Sequence, residues 1–342
     1  MKASTDLVSK TTGDADTPHA PADGSEHPEG RLRDLTARLL TREPEEIRLL
    51  RTGGLAHQAG SYGQYFTTWD LANGILRDYS MNLYQWTRVA ADPRVPVCTV
   101  QDMLRTVDPI YSSYLGYSGF ETLARSAERV LGTQFEQRGP LVAELAELSG
   151  YVNRLTAWSH HAFPWHVGER YRYPEGGRRA QPCAYVPSQA AGPGPAREGA
   201  GEHRVPITLE WQPLGLTARA YVASDLNPRL AREFLDALPF TVLQDHAVVT
   251  GESMYAWTPL VSLAPTPVIE RICDAPPGRL RYSQATGNKL VVQYGSTSET
   301  LSVPVLGNVE PEDAAVLRKV GPAVWESTFR SKEPVWLTVR SR

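Results

Sequence analysis

Glu252 is the carboxylate in this chain that most needs a reason. It stands in DHAVVTGESMYAW, residues 245 to 257, where β-branched and aromatic residues otherwise spell a buried strand. A carboxylate among such neighbours is either paired or put to use. Val248, Val249, Met254, Tyr255 and Trp257 would give it an apolar wall and a raised pKa, making it a base and an acid near neutrality. A salt-bridged residue at a strand rim explains the same stretch equally well, and the residues alone leave the two readings tied. Tyr255 and His246 are the nearest further proton handlers.

A second cluster is LTAWSHHAFPWHVGERYRYP, residues 155 to 174, which gathers His160, His161, Trp165, His166, Arg170 and Arg172. Zinc fits poorly, because His161 and His166 are five apart and no carboxylate stands at ligand spacing. No metal is expected. The cluster reads equally as a substrate contact or as a helix end, stopped by Pro164, whose aromatics pin two parts of the chain together. Arg170, Arg172, Arg219 and Arg281 are guanidinium forks available to a substrate carboxylate, and nothing ranks them. No P-loop, GxGxxG or GxSxG motif occurs, so no nucleotide cofactor is expected either.

These groups must be positioned by 342 residues carrying a net charge of −3, with 41% hydrophobic and 21% charged residues. That balance describes a globular protein with no electrostatic case for nucleic acid or an anionic membrane. Three scattered cysteines form neither a disulfide framework nor a CxxC pair, and no apolar leader or spanning stretch is present, so a cytoplasmic home is expected. Residues 1–29 read as a disordered tail. Residues 30–172 show leucines at helical spacing and read as a helical bundle. Residues 173–204 are a linker or insert rich in Pro, Gly and Ala, and residues 205–342 are short β-type runs broken by two helices. Asn227 is the expected N-cap of the first of those helices, NPRLAREFLDAL. The class is α+β, a bundle followed by a mixed β-barrel. A bundle this rich in tyrosine makes a homodimer an expectation.

LTAWSHHAFPWHVG, followed by a barrel carrying DHAVVTGE, APPGRLRYSQATGNKLVVQYG and GNV, resembles the cucumopine and mikimopine synthases. The resemblance spans most of residues 30 to 340 and implies a helical bundle coupled to a cyclophilin-like barrel. It also implies a Pictet–Spengler enzyme without a redox cofactor, joining an amino acid to a carbonyl compound and closing a ring. A similar bacterial branch acts on tryptophan derivatives in alkaloid pathways such as that of streptonigrin, and the arginine-rich composition leans toward it. The implied reaction is condensation of tryptophan, or a β-methyltryptophan-like derivative, with an aldehyde to a tetrahydro-β-carboline. Histidine with a 2-oxo acid, or a non-catalytic small-molecule binder, are the alternatives. A prolyl isomerase is not expected, since only Phe234, Phe240 and Phe329 follow residue 200. Under this resemblance Glu252 serves as the shuttling base, with Tyr255 and His246 behind it. His160, His161, Trp165 and the four arginines would contact substrate.

Overall fold

The computed structural model describes residues 28–55, 62–165 and 203–342. Its first half is helical: α1 (Pro28–Arg38), α2 (Glu45–Thr52), α3 (Tyr62–Ala91), α4 (Val97–Tyr117), α5 (Glu121–Gly132) and α6 (Arg138–Ala162). α6 is the axis, packed against α1, α2, α3 and α5. From Tyr151 to Ala162 every residue of α6 is buried, including Asn153, Arg154, Thr156, Ser159, His160 and His161. Its polar side chains therefore find partners inside. Trp158 Nε1–H donates to the Leu39 carbonyl at 2.7 Å, and Ser159 Oγ–H to Asn73 Oδ1 at 3.0 Å. Pro164 stops the helix as expected, because it forces Phe163 out of the helical region to φ −56, ψ 132.

The second half is a nearly closed antiparallel barrel. Its strands are β1 (Arg204–Gln212), β2 (Leu216–Ala223), β3 (Phe240–Leu243), β4 (Asp245–His246), β5 (Gly251–Trp257), β6 (Ile269–Arg271), β7 (Arg279–Ser283), β8 (Lys289–Thr297), β9 (Ser302–Val309) and β10 (Trp336–Ser341). Their order is β3-β10-β1-β2-β9-β7-β8-β5-β4, with β6 added on β9. The two end strands are consecutive in the chain, with only Gln244 between them. One kinked segment thus bridges both edges, and the sheet leaves little free edge to pair with another molecule. Trp211, Met254, Leu280, Tyr282 and Leu337 fill the interior, closed over by α7 (Pro228–Asp236) and α8 (Ala314–Glu326).

The α+β reading stands, with two local corrections. Asn227 precedes α7 but does not cap it. Its amide donates instead to the Val268 and Val305 carbonyls at 2.9 and 2.8 Å, tying the helix entry to β9. The run Ala247-Val248-Val249 is not strand. It forms the bend between β4 and β5, with Val248 41% and Val249 78% exposed.

Bundle and barrel meet along the last turns of α6. Arg154 Nη2–H donates to the Thr258 carbonyl at 2.8 Å. Lys332, in the left-handed region at φ 64, donates its ammonium to the carbonyls of His161 (2.9 Å), Phe163 (2.6 Å) and Thr328. It thereby serves carbonyls that the end of α6 leaves without a helical partner. Gly287 makes the closest approach. At φ +103 its missing β-carbon would lie 2.7 Å from Ser80 Oγ and 2.9 Å from Trp257 Nε1. We expect Gly287→Ala to cost about 2–4 kcal/mol through left-handed strain and overpacking of the seam. Gly215→Ala, at φ +64 with nothing within 4 Å, carries the strain alone. Thermal melting of the two variants checks this; equal losses would mean the seam is not tightly packed at Gly287.

Candidate active site

Strand alternation sorts the candidates. Glu252, Met254 and Ala256 share one face of β5, while Ser253, Tyr255 and Trp257 turn to the other. Met254 and Ala256 enter the barrel core, and Glu252 emerges beyond them at the rim, exposed. The expected wall of Val249, Met254, Tyr255 and Trp257 therefore does not surround it. A bulge between Gly251 and Ser253 aims Glu252 across β8. There Ser296 N–H donates to Glu252 Oε2 at 2.7 Å. Position 295 must be glycine for this, because a β-carbon there would collide with the carboxylate.

Glu252 borders a cavity of about 490 Å³ with His246, Tyr294, Trp165, Trp325 and Phe329. Its walls come from Trp165 just past α6, from β4, the bend after it and the rim of β5, from β8, and from the last turn of α8 with the turn that follows. Phe329 binds them, with its ring centroid 5.4 Å from Trp325, 5.8 Å from His246 and 6.1 Å from Trp165. His246 Nδ1 lies 2.8 Å from the Ala247 carbonyl, which only a protonated Nδ1 can satisfy. Nε2 then accepts from the Tyr294 hydroxyl at 2.8 Å. Burial lowers the His246 pKa, so the imidazole is neutral at pH 7. Burial and the charge of Glu252 raise that of Tyr294, keeping the phenol protonated. The cavity thus offers an acceptor carboxylate and a relay of imidazole and phenol within aromatic faces. Such a set can move protons to and from a cationic organic substrate.

On the other face of β5, the seam with α3 and α6 encloses a second cavity of about 450 Å³, lined by Tyr255, Trp257, Lys289, Arg77, Glu299 and Ser253 among others. Val248 borders both cavities. His160 stands in the seam, its Nε2 3.2 Å from the Tyr255 hydroxyl and its ring 5.2 Å from that of Trp165. Burial brings its pKa down to about 4. Burial likewise raises the Tyr255 pKa well above the usual phenol range. Both groups are neutral across the physiological range.

The structure gathers Glu252, His246 and Trp165 at one cavity and puts Tyr255 and His160 on the side of the other. It employs three candidates elsewhere. His161 holds Asp245 Oδ1 at 2.9 Å and the Lys332 carbonyl at 3.1 Å, so both its nitrogens fasten α6 to the barrel. Arg219 forks onto Asp313 at 2.8 and 3.0 Å. Arg281 is fully buried, donating to the Ile272 carbonyl and to Gln293 Oε1 at 3.2 and 2.7 Å. Arg170, Arg172 and His166 lie outside the described residues. Among the described residues no three His, Cys, Asp or Glu side chains could hold a metal ion, and no helix is long and apolar enough to cross a membrane.

The reading from sequence missed Tyr294, Trp325, Phe329 and Lys289. Only Lys289 left a signal, as one of five lysines in the chain and the first residue of an apolar run.

Residues 31–162 match the profile of the cucumopine synthase C-terminal helical bundle domain. That match covers about two fifths of the chain, and it is a likeness of the bundle alone. A domain described as C-terminal in that family here precedes the barrel. Among solved structures the chain is similar to McbB, determined in complex with tryptophan, at 31% identity over 40% of this chain and 44% of that chain, with a TM-score of 0.37. The chain therefore matches less than half the length of McbB. A hypothetical protein of Archaeoglobus fulgidus, determined in solution, aligns at 12% identity over 42% of this chain and 99% of that one, with a TM-score of 0.29. No curated protein matches.

Proposed function

We propose that the chain catalyses a Pictet–Spengler condensation of an aromatic amino acid, tryptophan or a close derivative, with an aldehyde. One observation carries the reading: a carboxylate and a neutral imidazole–phenol pair converge on a cavity walled by Trp165, Trp325 and Phe329. The likeness of the bundle to that of the cucumopine synthases supports it. The reaction is redox-neutral and proceeds by loss of water, so proton transfers are all it asks of the protein, and no cofactor is needed.

Glu252 takes a proton from the substrate ammonium, freeing the amine to add to the carbonyl carbon. The hydroxyl of the adduct leaves as water with the proton that Glu252 had taken, and the iminium cation rests against the aromatic faces with the restored Glu252 charge nearby. The indole carbon closes the ring, and Glu252 removes the ring proton to restore aromaticity. The His246–Tyr294 pair can supply or accept the proton that the departing oxygen needs. Arg318 lines the adjoining cleft that shares Glu252 and Tyr294, and joins Arg170 and Arg172 as a candidate for the substrate carboxylate, Arg219 and Arg281 being engaged elsewhere.

Mass spectrometry of the protein with tryptophan and a panel of aldehydes should find a product at the summed mass less one water, as a single stereoisomer. Histidine with 2-oxo acids is the second arm, and product there alone would move the reading to the cucumopine type. Only the slow, stereorandom product of the uncatalysed reaction in both arms would sink it.

A further inference from the structure

Lys289 opens β8 and projects into the cavity between bundle and barrel. Its Nζ sits 4.5 Å from the Tyr255 ring centroid and 4.6 Å from that of Trp257. Among the described residues it makes no hydrogen bond and no ion pair within 4 Å, which is unusual for a half-buried ammonium. Glu299 borders the same space, with Thr250 Oγ1–H donating to its Oε2 at 2.6 Å, and Arg77 reaches it from α3. We propose that this cavity captures a small carbonyl compound, an aldehyde or 2-oxo acid, as an imine on Nζ of Lys289.

Three features of the site suit that step. Lys289 is the only amine that borders this cavity among the described residues. Burial, and then the charge of Arg77, bring its pKa down to about 7, against the opposing pull of Glu299 and Asp245, so a free amine is present at neutrality. The two aromatic faces that now hold an ammonium would hold an iminium carbon–nitrogen unit as well.

The balance is that of a condensation. The Nζ lone pair bonds to the carbonyl carbon, the two amine hydrogens pass to the oxygen, and water leaves. Glu299 is the carboxylate placed to carry those protons, and one further proton turns the imine into its cation. Attack by an amino acid's amine would then release Lys289 and pass on the iminium that ring closure requires. That last transfer rests on the reading above; the capture does not.

The full chain should be incubated at pH 7 with glyoxylate, pyruvate or phenylacetaldehyde and cyanoborohydride, then peptide-mapped. Reductive alkylation is expected at Lys289 on the order of tenfold or more faster than at Lys319, which is exposed. The three probes separate 2-oxo acid from aldehyde. Lys289→Met and Lys289→Arg should lose the label, and Lys289→Arg keeps the charge over the aromatic faces if the loss of charge unfolds the first. Labelling spread evenly over Lys319 and Lys332, or none, overturns the capture. Labelled Lys289 without a ring-closed product overturns the Pictet–Spengler reading instead, and product from an unlabelled protein overturns this one.

Discussion

Glu252→Gln is expected to slow ring closure by ~10²–10⁴, the usual loss when a general base is removed. Glutamine keeps an oxygen that can accept from Ser296 N–H, so the rim of β5 and β8 should hold its shape. Because only the proton acceptor is lost, the change should fall on kcat while the KM for the amino acid stays within a few-fold. The check is stereoselective turnover beside a melting curve, with the uncatalysed reaction subtracted. Near-native, stereoselective turnover by the variant would pass the base's role to His246, the other proton acceptor of that cavity. His160 is too deeply buried and His161 too firmly bonded to inherit it.

Asp245→Asn should be the most damaging change to the seam, costing about 3–5 kcal/mol in acid, where it strands a buried imidazolium. Burial alone would lower the His161 pKa, but the charge and hydrogen bond of Asp245, 2.9 Å away, together raise it above 6.5. A base with a raised folded-state pKa contributes stability that is complete below the unfolded value and is lost as pH rises through the folded one. The difference in Tm between the native chain and Asp245→Asn should therefore be largest below about pH 6.5 and shrink as the pH climbs above it. Taking the difference removes most of the opposing contribution of His160 and His246, whose pKa values are lowered and which destabilise the fold as pH falls. Melts at intervals from acid to mild alkali would show it. A gap that widens with pH would mean that His161 is neutral in the fold and Asp245 acts only as a hydrogen-bond acceptor.

Much of the architecture is written locally. The run VPITLEW alternates with period two and its strand lies where that period puts it, while the short apolar run of KLVVQYG becomes a strand buried on both faces. Glu252 could be singled out by type, since a carboxylate beside such a strand asks for a reason. The likeness of the helical half to the cucumopine synthase bundle is equally local, carried by residues contiguous in the chain.

What surrounds Glu252 was decided elsewhere. Its neighbours in sequence were expected to wall it, yet alternation along β5 turns Tyr255 and Trp257 to the opposite face and sends Met254 into the core. The aromatic wall comes instead from Trp325 and Phe329, more than seventy residues on, brought over the rim when α8 packs its Leu317, Val320 and Val324 onto the barrel. Two of the arginines, equal as letters, are separated from a substrate role by partners: Arg219 meets Asp313, and Arg281 is walled in beside Gln293, while Arg318, which the sequence did not single out, lines the open cleft. Lys289 shows the same limit. A lysine at the start of a strand is ordinary until a helix from the bundle closes over it, removing its water and setting Arg77 nearby. Hydrophobic period and helix ends are properties of neighbours in the chain and can be read there. Desolvation and charge at a site depend on which distant side chains the packing brings together, and only the folded molecule decides that.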